Sequence, residues 1–337
     1  MTSNAVIFGC EGLALSDWER GFFAESDPLG FILFARNCRD PEQVTGLVAD
    51  LRAAVGRAEA PVLIDQEGGR VARLKPPAWR AAPPAAVFGE LAKTDPARAE
   101  EAVRLNVRLL ALELRALGID VDCLPLLDLR LPQGHDVIGD RSFGSDPEIV
   151  IALGRAVCES FLDAGVMPII KHIPGHGRAA VDSHKELPRV ATPRETLEAT
   201  DFLPFRALAD APWGMTAHVV YEAIDPERPA TTSPVVIGEI IRGSIGFDGL
   251  LLSDDLSMQA LRGGLAERAG AALAAGCDVA LHCNGERAEM EAVASAVRPL
   301  TAAAETRLAQ AAAALGAAPA PEEFVALSAR LDALLAA

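Results

Sequence analysis

Ionisable residues stand at five places where short apolar runs stop: Asp65 after Val-Leu-Ile, Asp128 after Leu-Leu, Lys171-His172 after Ile-Ile, His218 after Thr-Ala and Asp254 after Leu-Leu-Ser. Carboxylates and imidazoles move protons or attack electrophiles near neutral pH, so their recurrence at run ends points to acid–base or nucleophilic chemistry. Each carboxylate taken alone also reads as the N-cap of a following helix. Two segments concentrate further polar groups. Lys171-His-Ile-Pro-Gly-His-Gly177, followed by Val181-Asp-Ser-His184, gathers three histidines, a lysine and an aspartate around glycines and a proline that bar a regular helix. Asp65-Gln-Glu-Gly-Gly-Arg-Val-Ala-Arg73 sets paired glycines, which allow close backbone approach, between a carboxylate and two arginines. That pattern suits a polar ligand, and it equally suits a tight turn.

A metal site is the first alternative, because His172, His176, Asp182, His184 and His218 are all zinc-ligand types. His172 and His176 are four apart, but Pro174 and the adjacent glycines remove the helix that converges such a pair on one ion. No metal and no other cofactor is expected.

These residues need a scaffold that brings strand ends together. Apolar runs at about 5–10, 31–35, 62–66, 121–126, 167–171, 214–218, 249–254 and 279–283 are continuous enough to be buried parallel strands. Helical patterns lie between most of them, at 40–55, 96–117, 146–164, 192–209, 233–244, 264–275 and 286–300. Asp40-Pro41, Asp95-Pro96, Asp146-Pro147 and Thr192-Pro193 each place a capping residue before a proline suited to the first helical turn. Eight strand–helix alternations predict an α/β fold, a (β/α)8 TIM-type barrel, whose strand C-termini line one mouth. The whole chain, 1–337, is expected to be a single domain, with two helices from about residue 301, broken near Gly316 and Pro319–Pro321, packed on the outside.

Composition narrows the partners. A formal charge of −16, with no basic cluster interleaved with aromatics, disfavours nucleic acid and anionic membranes. The N-terminus lacks the basic region of a signal peptide, and no apolar stretch reaches the roughly 20 residues of a spanning helix. The six cysteines form no CxxC pair and sit in apolar surroundings, as reduced thiols do, so a cytoplasmic protein is expected. A monomer is favoured, though nothing in the residues fixes the oligomeric state.

The segments Gly30–Asn37 (GFILFARN), Asp65–Leu74 (DQEGGRVARL), Ile138–Phe143 (IGDRSF), Lys171–Gly177 (KHIPGHG), Asp182–Pro188 (DSHKELP) and Gly246–Met258 (GFDGLLLSDDLSM) resemble the motifs of family 3 glycoside hydrolases. Within that family they are similar to the β-N-acetylhexosaminidases of bacterial peptidoglycan recycling. The match runs in order over about residues 5–285, and one departure is Ile173, where the family usually carries Phe. The resemblance implies a retaining β-N-acetylglucosaminidase that removes non-reducing terminal N-acetylglucosamine from muropeptides, its partner being a small carbohydrate.

It further implies Asp254 as nucleophile, and His184 supported by Asp182 as the acid–base pair. Strand alternation agrees that only one of Asp254 and Asp255 faces a sugar, leaving Asp255 a supporting or capping role. An imidazole titrates near about 6.5, and a neighbouring carboxylate raises that value, which suits proton donation to a leaving oxygen. Asp65, Arg73, Arg141, Lys171 and His172 are implied as the sugar clamp, although Arg73 and Arg141 also read as structural ion pairs across the rim. His176 and His218 are left as loop or supporting residues, and His135 and His282 as structural or surface ones. Three rivals remain: a phosphorylase that opens the glycosyl-enzyme with phosphate, a metal-dependent barrel hydrolase, and a sugar-binding protein without turnover.

Overall fold

Ala5 and Ile7 of the first strand belong to one buried cluster and Val6 and Phe8 to another, the two-residue alternation of a strand apolar on both faces. The same split recurs around the molecule. Ile32, Leu63, Val121, Ile169, Trp213, Leu252 and Val279 fill an inner cluster, while Leu33, Ile64, Ile170, Leu251 and Ala280 meet the surrounding helices. Double-sided burial of this kind requires strands covered by helices outside and by each other inside.

The computed structural model describes residues 3–316 and 324–336. Eight strands, β1 (Asn4–Phe8), β2 (Pro28–Leu33), β3 (Val62–Ile64), β4 (Val121–Asp122), β5 (Met167–Ile173), β6 (Trp213–Thr216), β7 (Leu250–Asp255) and β8 (Val279–His282), close into a barrel in chain order. Every neighbouring pair is parallel, with register set by contacts such as Phe31 with Val62, Val121 with Met167, and Phe8 with His282. The TIM-type barrel predicted from the alternation is therefore the fold, and each strand falls within a few residues of its expected place.

Helix starts follow local chemistry. Asp40, Asp95 and Asp146 each accept a first-turn backbone N–H ahead of a proline. The fourth expected cap differs: the helix Arg194–Ala199 begins one residue later, Pro193 occupies the cap, and a second short helix, Leu203–Ala207, follows it in place of one long helix over 192–209. The predicted helix at 233–244 is a π-helical segment, Val236–Ser244. Two helices were not anticipated, Asp17–Ser26 and Ala85–Ala92, nor was the ribbon that pairs Arg189–Val190 with Val220–Tyr221.

Helix Ala302–Ala313 contributes Ala304 and Ala311 to the barrel's inner cluster, and the chain before it is tied to the start of β1 by the Leu300 N–H bond to the Ser3 carbonyl. It closes the N-terminal end of the barrel, opposite the mouth. Helix Phe324–Ala336 lies against Pro96–Ala116, where Arg330 pairs with Glu101. The break expected near Pro319–Pro321 lies outside the described residues. Among the described residues no helix is long and apolar enough to cross a membrane.

Candidate active site

The loops after β3, β4, β5 and β7 surround a cavity of about 240 Å³ at the C-terminal mouth of the barrel. Asp65, Arg73, Arg141, Lys171, His172, His184 and Asp254 all line it, so seven of the eight residues singled out in the sequence converge on one space. The eighth, Asp182, stands behind His184, with its carboxylate 2.8 Å from the ring Nδ1 and 3.0 Å from the backbone nitrogen.

Irregularities in two strands decide which side chains reach the cavity. Between β7 and β8 the register slips, Val279 facing Leu252 and Leu281 facing Asp255, so an extra residue is accommodated near Ser253-Asp254. Both Asp254 and Asp255 consequently reach the cavity wall, which corrects the expectation that alternation would exclude one of them. Their surroundings separate them instead. Asp255 is committed to the Ser257 hydroxyl and to the backbone N–H groups of Ser257 and Cys283. Asp254 receives the Asp255 N–H at 2.8 Å on Oδ1 and, among the described residues, no side-chain hydrogen bond. Burial opposes its ionisation, but the imidazoles of His172 and His218 and that N–H outweigh it and hold its pKa below the ordinary value. A similar slip between Lys171 and Ile173 lets consecutive residues Lys171 and His172 both face inward.

One wall is an ion network. Lys171 Nζ lies 2.8 Å from Asp65 and 2.6 Å from Glu67, Arg73 pairs with Asp65 at 3.0 Å, and Arg141 grips Glu67 through two 2.8 Å bonds. Burial works against ionisation of both carboxyls, yet the cations prevail, holding Asp65 well below its ordinary value and Glu67 at about 2. Burial likewise opposes the charge on Lys171, which Asp65 and Glu67 more than restore. Arg73 and Arg141 are thus ion-paired and cavity-lining at once, so their two readings do not compete. Gln66 ties the segment down: its side chain accepts from Arg73 and Leu74 N–H and donates to the Leu74 carbonyl. Gly68, at φ 99°, turns where a Cβ would stand 2.3 Å from the Pro83 carbonyl oxygen, so no larger residue fits.

A second wall is organised by Asp128, fully buried in the stretch that follows β4. Its carboxylate takes His172 Nδ1–H at 2.7 Å and the His176 N–H at 2.6 Å. His176 is buried, and burial first and then His172 push its pKa down to about 4; its Nε2 meets the Ser183 hydroxyl at 3.1 Å. His218 spends Nδ1 on Thr231 and points Nε2 at the Asp255 carbonyl. Among the described residues no group of three or more His, Cys, Asp or Glu side chains is disposed to hold a metal. His184, by contrast, is the most open of the group, its side chain 63% exposed at the cavity rim.

Glu67 and Asp128 are the residues that sequence reasoning left out of the site. Glu67 had a signal, since it lies two positions beyond Asp65 in an extended segment and so on the same face. Asp128 had been noticed only as a strand-end carboxylate. The apolar lining, including Ile138, Met215 and Met258, carried no signal, because apolar residues look alike in a core and in a cavity wall.

Comparison with known proteins bears on this geometry. The family model described as the glycosyl hydrolase family 3 N-terminal domain matches residues 22–315. A β-hexosaminidase from Alkalilimnicola ehrlichii is 43% identical over 304 residues, covering 89% of this chain and 85% of the relative. Among solved structures, NagZ from Neisseria gonorrhoeae in complex with N-trifluoroacetyl-D-glucosamine superposes with a TM-score of 0.88 at 32% identity, covering 99% of each chain. A glycoside hydrolase family 3 β-N-acetylglucosaminidase from a Paenibacillus strain gives 0.84 at 33% identity, covering 98% of this chain and 67% of that one.

Proposed function

The chain belongs to glycosyl hydrolase family 3 and is a glycoside hydrolase of the β-hexosaminidase type; on that premise we propose that it is a retaining enzyme that releases non-reducing terminal N-acetylglucosamine from muropeptides. The observation that carries the reading is that Asp254, ionised and free of side-chain partners, shares one cavity with the exposed imidazole of His184.

In this mechanism the Asp254 carboxylate attacks the anomeric carbon while the bond to the leaving oxygen breaks, through an oxocarbenium-like transition state, and a glycosyl ester forms with inversion. His184 gives its proton to the departing oxygen. Asp182, on Nδ1, orients the ring and stabilises its charged form, leaving Nε2 for the substrate. The neutral imidazole then takes a proton from water, which opens the ester with a second inversion and net retention. Asp65, Arg73, Arg141, Lys171 and His172 hold the sugar hydroxyls by charge-assisted hydrogen bonds. The six free cysteines, five of them buried, support action in a reducing compartment such as the cytoplasm.

The test is covalent trapping. A fluorinated N-acetylglucosaminyl substrate, which slows opening of the ester, should leave one sugar mass on the peptide containing Asp254. Label on another residue, or none while a cyclic oxazoline from the substrate's own acetamide accumulates, would overturn the mechanism.

A further inference from the structure

A buried chain of polar side chains runs from the backbone of Asp254 to that of Asp255, and the mechanism above does not use it. β6 and β7 pair through Trp213–Leu250, Gly214–Leu251 and Met215–Leu252, and the ladder ends there. Ser253–Asp255 follows, where the register with β8 slips. Side chains take over from the ladder. Thr216 Oγ1 meets the Asp254 N–H at 3.4 Å, Thr231 Oγ1 lies 2.7 Å from Thr216 Oγ1 and 2.7 Å from His218 Nδ1, and His218 Nε2 lies 3.0 Å from the Asp255 carbonyl. Thr216, His218 and Thr231 are each 0% exposed, so their polar atoms must be satisfied among themselves.

The acceptors fix where the protons sit. A carbonyl oxygen only accepts, so His218 Nε2 carries hydrogen and donates to Asp255. Burial holds the pKa of His218 below its ordinary value against the pull of Asp254 and the Asp255 carbonyl, so the ring is neutral at pH 7 and Nδ1 is a bare acceptor. Thr231 has one hydroxyl proton, and Nδ1 at 2.7 Å takes it in preference to the Ala217 carbonyl at 3.2 Å. Thr216 must then donate to Thr231, which leaves its own oxygen to accept the Asp254 N–H. The bonds therefore run one way, from the N–H of Asp254 round to the carbonyl of Asp255. Thr231 enters from a separate element, the turn Ala230–Thr232, which the Ala230 N–H anchors to the Val219 carbonyl at 2.8 Å.

We propose that Thr231 is a positioning residue for the nucleophile: through Thr216 and His218 it clamps the kinked backbone at Asp254–Asp255 and so fixes the line on which the Asp254 carboxylate meets the anomeric carbon. The proposal rests on the glucosaminidase reading above. A regular strand would aim Asp254 and Asp255 at opposite faces, so the aim of the carboxylate depends on holding the kink. A misplacement of about 1 Å in a reacting group costs about 100-fold in rate.

Thr231→Val keeps the shape of the side chain and removes the hydroxyl. This variant should bind N-acetylglucosamine as tightly as the wild type, because the sugar clamp is untouched, yet lose about 10- to 100-fold in kcat/KM on an aryl N-acetylglucosaminide. Thr231→Ser restores the hydroxyl and should recover most of that loss. Long-range nitrogen–proton NMR on the wild type, with His218 assigned through its backbone, should show the Nε2–H tautomer at pH 7, a measurement that stands whether or not Thr231→Val folds. A kcat/KM within twofold of the wild type in Thr231→Val, equal losses in the Val and Ser variants, or His218 found as Nδ1–H or as imidazolium would overturn the clamp and leave the glucosaminidase reading intact. Fluorosugar labelling of a residue other than Asp254 in the wild type would overturn the nucleophile assignment and the clamp together.

Discussion

His172 Nδ1 lies 2.7 Å from the Asp128 carboxylate, which also holds the His176 N–H at 2.6 Å, so one buried acid fixes both histidines of the Lys171–Gly177 segment. Burial opposes the ionised form of Asp128, but His172, His176 and their N–H groups outweigh it and keep its pKa low. An ionised acceptor forces the proton onto Nδ1 and turns Nε2 of His172 to the cavity.

Asp128→Asn should therefore weaken the site without touching the sugar directly. The amide can donate as well as accept, so it no longer dictates the ring's tautomer or orientation. A loss of about 10- to 100-fold in kcat/KM is expected, the range for a hydrogen bond to a charged group. Steady-state kinetics on an aryl N-acetylglucosaminide checks this, and a change below twofold would refute the orienting role.

His184→Ala should separate substrates by leaving group. General acid catalysis contributes roughly 10²- to 10⁴-fold where the departing oxygen needs a proton, and little where it does not. Disaccharides should suffer the full loss and activated aryl glycosides far less in the glycosylation step. Asp182→Asn should reproduce the pattern more weakly, because the ring stays while its 2.8 Å partner loses charge. Equal losses on both substrate kinds would count against proton donation by His184.

The barrel was legible because its strands are apolar on both faces, which leaves continuous runs such as Val62–Ile64 and Leu250–Leu252 that few other folds require. Asp254 was legible for the same reason, as the first charge after such a run. Helix Asp17–Ser26 was missed although its capping box, Ser16 with Glu19, is written in the sequence. The bulges near Asp254 and His172 left no trace, since a one-residue slip depends on how two distant strands meet. Arg141 was placed by motif alone, because nothing periodic in 130–141 says that the loop folds back onto Glu67.

Glu67→Gln should destabilise the fold as well as the site. The Glu67 side chain is 3% exposed and answers both Arg141 and Lys171, so removing its charge leaves two buried cations short of a partner. About 3 kcal/mol is expected for breaking such a buried pair from one side, read from urea unfolding. Its folded pKa of about 2 lies below the ordinary value of 4.5, so its contribution is present above 4.5 and fades as pH falls toward 2. The wild-type and variant stabilities should accordingly converge in acid; a gap of constant size down to pH 2 would show that charge is not what Glu67 supplies.

Asp122 should have the opposite dependence. It is fully buried; its Oδ1 accepts the Gln66 N–H at 3.0 Å and, among the described residues, its Oδ2 has no hydrogen-bond partner. Burial pushes its pKa from 3.8 up to about 8, with the Gln66 N–H and Lys171 only partly opposing the rise. At pH 7 folding therefore takes up a proton here, and raising the pH penalises folding progressively from 3.8 until the folded carboxyl itself ionises near 8. Asp122→Asn keeps the acceptor for Gln66 and does not titrate. Its melting temperature relative to the wild type should climb between about pH 4 and pH 8 and then level off. A difference that stays flat across that window, or that shrinks as pH rises, would mean that Asp122 is ionised in the folded protein.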